Sequence, residues 1–411
     1  MKNPVRAERG WPCCVVAGAY QTGVVLMRAL HRRGVKVYGV DHRDWMPGLK
    51  TRYAEVRLCP NPDEKPNEWV RFMLDLSRQI GGQPALISSA DQYVSVIASR
   101  GGELQDHFRF CKSSMATQAL LATKERQYSI AEEYGLPVPK TRLLNTAEDA
   151  DAFGREARFP CLLKPLHFRE WRRDKTHPLF EQKVVMARTA AELNSWYQSA
   201  SSLSPHMIAQ EIIEGPDTAK LVYLSCYGQS GERIGTAMVK QVRTAPIHFG
   251  SASVVEPVTD PDTDRMCDRF LSGLGFWGLC EIELKRDSRD GQVRMIEANP
   301  RFSVTADAAY YAGVDLGWLH YLDLIGQKVT PESPKSRDFR HVVLIRDFDT
   351  IPSYRREGLL TWRQLIRSYR PPVYFFDFDI LDFQVSRKNV IEMVRLLARP
   401  LVRKLFPKKS R

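Results

Sequence analysis

GLCEIELKRDSRDGQVRMIEANPRF, residues 278–302, gathers acidic side chains and an amide around a turn-rich centre. Two runs of strand-forming residues flank the turn run Asp287-Ser288-Arg289-Asp290-Gly291, which predicts an antiparallel hairpin. In the first strand Cys280, Ile282 and Leu284 alternate with Glu281, Glu283 and Lys285; in the second Ile296 and Ala298 alternate with Met295, Glu297 and Asn299. Alternation alone needs nothing more than a solvated polar stripe. Carboxylates and an amide oxygen gathered on one face are also a donor set for a hard divalent cation, since Mg²⁺ usually takes one or two carboxylates plus substrate phosphates. Glu297 and Asn299 are two apart and share a face. The partner strand brings Glu281 or Glu283 opposite them, and the turn alone does not choose between the two. Arg301, past the strand end, can hold a transferring phosphate bidentately.

Working outward, 411 residues suffice for two or three domains with substantial cores. Apolar residues at 43% and charged ones at 26% describe a folded globular chain. No apolar run approaches the roughly 20 residues that span a bilayer. The N-terminus lacks the apolar core of a signal peptide, and the eight cysteines are scattered with no metal spacing. They read as reduced, mostly buried thiols of a cytoplasmic protein.

The net charge of +12 is unevenly placed. Residues 387–411 hold nine Lys or Arg against one acid, Glu392, a surplus of +8; the remainder has 51 basic against 47 acidic residues, +4. That balance excludes a specific nucleic-acid-binding body. The tail, SRKNVIEMVRLLARPLVRKLFPKKSR, is a basic amphipathic segment interrupted by Pro400. Its first reading is a terminal helix packed on the body; peripheral contact with an anionic membrane surface is the alternative.

The chain opens with CCVVAGAYQTGVVLMRALHRRG and VKVYGVD, a βαβ unit whose second strand ends at Asp41. The spacing of Gly18 and Gly23 is not GxGxxG, so no dinucleotide fingerprint is present. PALISSAD places Ser88, Ser89 and Asp91 at a strand's carboxyl end, where open α/β sheets hold ligands or where a helix is capped. A helix comes next, over residues 117–134. Two capped helix–strand units succeed it, ending in FPCLLKP and HMIAQEIIEGPD, with the charged segment 166–183 between them too long for an ordinary connection. Further strands LVYLSCYG, RIGTAMVKQVR and ASVVEPV precede the hairpin. VYFFDFDILDF, near the end, reads as an edge strand.

Over roughly residues 15–327 this order of parts resembles the ATP-grasp superfamily, in its carboxylate–amine ligase branch. The resemblance implies a Rossmann-like N-terminal α/β domain (1–115), a linker helix and small lid subdomain (116–212), a large α+β subdomain with the metal site (213–330) and a C-terminal extension (331–411). EIELKRDSRDGQVRMIEANPRF is close to the family's metal-binding hairpin, which selects Glu283, Glu297 and Asn299 as metal ligands and Arg301 at the phosphate. ATKERQYSIAEEYGLPVPKT is similar to the entry helix, whose lysine is Lys124. FPCLLKP matches the strand whose lysine, Lys164, grips the α- and β-phosphates. QEIIEGPD is similar to the hinge that holds adenine: Gln210 toward the amino group, Ile213 with its backbone at the ring, Asp217 at the ribose. Lys240 and Arg243 are looser candidates for anion holders. The segment 166–183, with Phe168, Trp171, Arg172 and Arg173, departs from the glycine-rich lid of many relatives. The resemblance implies ATP and Mg²⁺ (or Mn²⁺) as cofactors, small carboxylate and amine substrates, and an ADP-forming ligation. A carboxylase or a ligase for a larger cell-envelope substrate, and a non-catalytic nucleotide-binding regulator, are the competing expectations.

Overall fold

The buried pair Val15-Val16 starts the first strand, β1 (Cys14–Ala17), followed by α1 (Gln21–Arg32), β2 (Val37–Asp41), β3 (Glu55–Leu58), α2 (Pro66–Ile80), β4 (Ala85–Ser88) and α3 (Asp91–Leu104). The computed structural model describes the chain except for residues 1–5, 9, 113, 114, 122, 123, 166–170, 172, 173, 181, 183, 205, 337 and 406–411; residues 115, 116, 124, 125 and 396–405 are described by backbone alone. The four strands are parallel, in the order β3-β2-β1-β4. Alternate residues of β1 feed two cores, as a sheet covered on both faces requires. Val15 and Ala17 pack with Trp69 and Tyr93 from α2 and α3, whereas Cys14 and Val16 pack with Leu26 and Leu30 from α1.

The turn after β1 is close-packed. Gly18 has φ +108, and a Cβ there would stand 2.5 Å from Ser89 Oγ; a Cβ on Gly23 would collide with the Gly18 carbonyl. These glycines let α1 abut the strand end. Asp41 closes the same turn: its Oδ2 accepts from Ala19 N (2.7 Å) and its Oδ1 from Arg43 N and Nε (both 3.0 Å). A carboxylate so engaged belongs to the fold, in keeping with the missing dinucleotide fingerprint.

The helix expected over 117–134 is described as α4 (Met115–Leu121) and α5 (Lys124–Glu133), with residues 122 and 123 outside the described residues. Then come β5 (Thr141–Leu144), α6 (Ala147–Glu156), β6 (Cys161–Pro165), β7 (Val185–Ala187), α7 (Ala190–Ser201) and β8 (Met207–Glu211). These strands form an antiparallel sheet, β5-β8-β6-β7. Thr146 and Thr189 cap α6 and α7 through the backbone N–H groups of Asp149 and Glu192, and Thr146 completes a capping box with Asp149. Phe153, Leu163 and Leu193 make the core, and Trp171 from the long charged segment is fully buried among them. Trp171 is therefore an anchor of this core. Phe168, Arg172 and Arg173 lie outside the described residues.

The remainder is built on a seven-stranded sheet. Its elements are β9 (Lys220–Tyr227), β10 (Arg233–Ala245), β11 (Ser251–Pro257), α8 (Pro261–Gly273), β12 (Gly278–Arg286), β13 (Val293–Asn299), α9 (Ala306–Ala312), α10 (Leu316–Leu324), β14 (Arg340–Val342), α11 (Leu344–Arg356), α12 (Trp362–Ser368), β15 (Val373–Phe375) and α13 (Phe383–Leu405). The order is β13-β12-β9-β10-β11-β14-β15, so the expected hairpin is one edge and VYF of the C-terminal aromatic run is the other. In chain terms there are two compact units: residues 1–118, 216–283 and 298–411, and residues 119–215 with 284–297. The first joins the N-terminal sheet to most of the large sheet and the C-terminal extension, a coarser division than the four parts expected from the resemblance. The second includes the tip of the hairpin.

Candidate active site

At the hairpin tip, in the second unit, Asp287 is fully buried and organises the turn. It accepts from Arg289 Nε (2.9 Å) and Nη2 (2.6 Å), pairs with Arg294 (3.2 Å), and donates its own N–H to Gln292 O (2.9 Å). The acids at the turn are thus structural; those farther along the strands carry the candidate chemistry. Val293 and Met295 are buried on the face that also bears Glu297, so that face is no solvated stripe.

At the other end of the hairpin, in the first unit, Asn299 Nδ2 lies 3.5 Å from Glu281 Oε1, and Thr305 Oγ1 donates to Glu281 Oε2. A carboxylate only accepts, so Glu281 fixes which end of the Asn299 amide faces it. The amide nitrogen points to Glu281, which leaves Oδ1 on the other side, where it accepts from Arg301 Nη2 (3.4 Å). Glu281 is 6% exposed and both its oxygens are engaged. It positions the amide, and the spacing signal that left Glu281 and Glu283 open could not show this. Glu283 is half-buried on the same strand face and acts electrostatically on Lys220. Burial pushes the Lys220 ammonium down from its ordinary pKa, and Asp217 and Glu283 pull it back. Within the first unit, the Glu283 carboxylate and the oriented Asn299 amide oxygen are donors of the kind Mg²⁺ takes. No three His, Cys, Asp or Glu side chains gather into a metal cluster among the described residues, so any such ion would rely on Asn299 and on ligand oxygens as well.

Arg301 pairs with Asp91, the first residue of α3, through Nε and through Nη2 (3.4 Å). Asp91 therefore stands beside this cluster, a pairing that the sequence did not indicate. Ser89 does not cap α3: its hydroxyl donates to Gly18 O (3.1 Å), and Ala90 occupies the cap position. Asp217 is buried, with Oδ2 accepting from Tyr354 Oη, Thr244 Oγ1 (3.1 Å) and His248 N (3.1 Å). Its Oδ1 has no hydrogen-bond partner among the described residues and lies 3.7 Å from Lys220 Nζ. Beyond that ion pair the oxygen's hydrogen-bonding capacity is unused, and an incoming hydroxyl would fill it.

In the second unit Lys164 and Gln210 meet. Lys164 Nζ donates to Gln210 Oε1 (3.0 Å), and Gln210 Nε2 donates to Thr141 Oγ1 (2.9 Å), across the paired strands β6, β8 and β5. Gln210 is 7% exposed, and Ile213, 8% exposed, lies just past the end of β8. The Lys124 side chain lies outside the described residues.

The two looser candidates are placed elsewhere. Arg243, 3% exposed, makes a two-pronged pair with Asp347 (Nε–Oδ1 2.7 Å, Nη2–Oδ2 2.6 Å) and also donates to Ser368 Oγ (3.1 Å). Its guanidinium is spent on holding α11 and α12 to β10, which corrects the anion-holding expectation. Lys240 is half-exposed and pairs with Glu256 (3.2 Å), its cross-strand neighbour. Arg243→Met leaves Asp347 buried without its counter-charge, and we expect a loss of about 3–5 kcal/mol in stability. Denaturant unfolding measures this; a variant as stable as the parent shows the pair to be incidental.

The chain carries the ATP-grasp fold, and its resemblance to carboxylate–amine ligases holds in both sequence and structure comparisons. D-aspartate ligase of Enterococcus faecium (strain Aus0004) is 23% identical over 266 residues, 61% of this chain and 62% of that ligase, less than two thirds of its length. N5-carboxyaminoimidazole synthetase from Staphylococcus aureus superposes with a TM-score of 0.59 at 13% identity over 79% of each chain. L-amino acid ligase from Bacillus licheniformis superposes with a TM-score of 0.56 at 15% identity, over 77% of this chain and 75% of that one. No family model matches the chain.

Proposed function

We propose that this chain is an ATP- and Mg²⁺-dependent ligase that activates a carboxylate as an acyl phosphate and joins it to an amine. The observation that carries the reading is the Asn299 amide, whose nitrogen faces Glu281 and whose oxygen faces Arg301. In the first step a substrate carboxylate oxygen bonds to the γ-phosphorus of ATP, and the bond from that phosphorus to ADP breaks. In the second the amine nitrogen bonds to the acyl carbon, the acyl–phosphate bond breaks, and the amine proton passes to solvent. No protein nucleophile is needed; positioning and charge neutralisation suffice. Bound Mg²⁺ would neutralise charge on the phosphates. Glu283, Glu297 and the Asn299 oxygen are the residues assigned to hold it, and Glu281 keeps that oxygen turned outward. Arg301 is assigned to the transferring phosphoryl group, exchanging its exposed partner Asp91 for it. Lys164 is assigned to the α- and β-phosphates, Gln210 and Ile213 to adenine, and Asp217 Oδ1 to a ribose hydroxyl. Lys124 completes the nucleotide set on the resemblance alone.

Incubation with Mg·ATP and mixtures of amino acids tests the reading. We expect stoichiometric ADP and phosphate with a new amide product found by mass. ADP release dependent on bicarbonate instead would mark a carboxylase. Nucleotide binding without any turnover would leave a regulator.

The C-terminal helix is assigned a packing role. Val385, Ser386 and Asn389 are buried, and Asn389 Nδ2 donates to Asp377 O (2.8 Å). Phe383, Ile391 and Val394 are exposed on the same helix, and no helix among the described residues is long and apolar enough to cross a membrane. Deleting residues 387–411 removes Asn389, and we expect about 1–3 kcal/mol of destabilisation with ATP turnover kept. Flotation with anionic and neutral vesicles at two salt concentrations is the companion measurement. Salt-sensitive binding to anionic vesicles, lost with the deletion, would establish the peripheral membrane role instead.

A further inference from the structure

Along the outer flank of β4, wholly inside the first unit, lies a solvent-open recess. Its floor is apolar: Leu86 from the strand, Val94 and Ile97 from α3, then Phe110, Phe276 and Leu279. Half-buried Trp277 stands at the rim, and Ser88, Pro300 and Arg301 line one end. Among the described residues Arg301 is the only cation in the lining, and no carboxylate belongs to it.

One polar group sits among the floor residues. His320 is 5% exposed, its Nδ1 has no hydrogen-bond partner among the described residues, and its Nε2 is 3.8 Å from Cys111 Sγ. Burial holds its pKa down to about 4, so the imidazole is neutral at pH 7. The recess thus offers an uncharged interior with a guanidinium at one end.

We propose that this recess holds the body of the acyl substrate, and that the substrate is a carboxylic acid bearing a branched-aliphatic or aromatic side chain. The inference rests on the ligase reading, because it takes Arg301 to sit at the transferring phosphoryl group. A carboxylate about to attack phosphorus must lie in near contact with it, at roughly 3–3.5 Å. The rest of that molecule then has to occupy the space that opens beside Arg301. Asp91, the present partner of Arg301, has a side chain 66% exposed, and a pair with so exposed a member is weak enough to give way to the transferring phosphoryl group. The floor selects the group attached to that carboxylate. Leu86, Val94, Ile97, Phe110 and Phe276 reward apolar surface removed from water. A second carboxylate or a side-chain ammonium would be buried on that floor with no counter-ion, which disfavours acids such as aspartate and lysine.

Two measurements on the full chain separate this inference from the reading beneath it. Titration calorimetry without nucleotide compares leucine and phenylalanine with aspartate and lysine. ADP release with Mg·ATP then gives kcat/KM for each acid. Leucine and phenylalanine should bind and should exceed aspartate and lysine at least tenfold in kcat/KM. Ala98→Trp, which fills the recess from its half-buried rim, should weaken both apolar acids at least tenfold and leave the KM for ATP unchanged. Val94→Ala, which enlarges it, should shift preference toward phenylalanine. Binding of the apolar acids, lost in Ala98→Trp but without ADP release, would uphold the recess and overturn the ligase reading. ADP release with aspartate, and neither binding nor turnover with leucine or phenylalanine, would overturn the recess and uphold the reading. Apolar acids that behave alike in the parent and in both folded variants would overturn the recess as well.

Discussion

Glu297→Gln is expected to lower Mg·ATP turnover by about two orders of magnitude or more while the protein stays folded. The substitution keeps the side chain's shape and removes one negative charge from a residue assigned as an oxygen ligand. Met295, two residues earlier on the same strand face, is fully buried, and its N–H donates to Pro137 O (2.8 Å), so the backbone beneath Glu297 is well held. A glutamine there has no reason to disturb β13. Turnover measured across a range of Mg²⁺ concentrations, with circular dichroism melts of both proteins, gives the answer. The loss should appear in kcat as well as in apparent Mg²⁺ affinity, because the charge is needed while the phosphoryl group transfers. Turnover that keeps its full rate and Mg²⁺ dependence in a folded variant rejects the metal assignment.

The second large effect is on the nucleotide. Lys164→Met should weaken ATP binding by about 10–100-fold, the worth of a hydrogen bond from a charged donor. Methionine retains the apolar stem on β6, so the fold should lose little. The bond from Lys164 Nζ to Gln210 Oε1 (3.0 Å) adds a diagnostic. Gln210 also donates to Thr141, so it stays tethered when the lysine is gone, and adenine contacts should outlast the phosphate contact. Calorimetric titration with ATP and with adenosine therefore separates the two roles: ATP should weaken and adenosine should not. Equal loss for both would mean that Lys164 acts only by holding Gln210.

Several features were legible in the sequence because they are local. The hairpin is set by a turn run between alternating strands, and it forms where expected, as β12 and β13. The capped helices α6 and α7 are announced by Thr146 and Thr189, whose hydroxyls find backbone donors three residues on. The opening β1–α1–β2 unit and the edge strand β15 arise from short apolar runs. Periodicity also separated a carboxylate-bearing face of β13 from its opposite face. It says nothing of the hairpin's turn acids: Asp287 is one more turn residue until Arg289 and Arg294 close over it.

By itself, then, the sequence determined which segments become strands and helices, which residues share a face, and which family the hairpin resembles. These properties depend on neighbours within a few positions, where backbone geometry is the only variable. The tertiary structure alone decided the fate of individual polar groups. Arg243 looks like an anion holder until Asp347, 104 residues away, takes both prongs of its guanidinium. Asp91 joins Arg301 across 210 residues, and Thr305 engages Glu281 across 24. Glu281 and Glu283 are indistinguishable by pattern, being two apart on one face; only the approach of Asn299 and Thr305 makes the first a positioning group. A charged side chain has no fixed partner in the unfolded chain, and its pairing is set by whichever complementary group the folded backbone brings within about 3 Å. That meeting is a property of the whole core, encoded in no single window of the sequence.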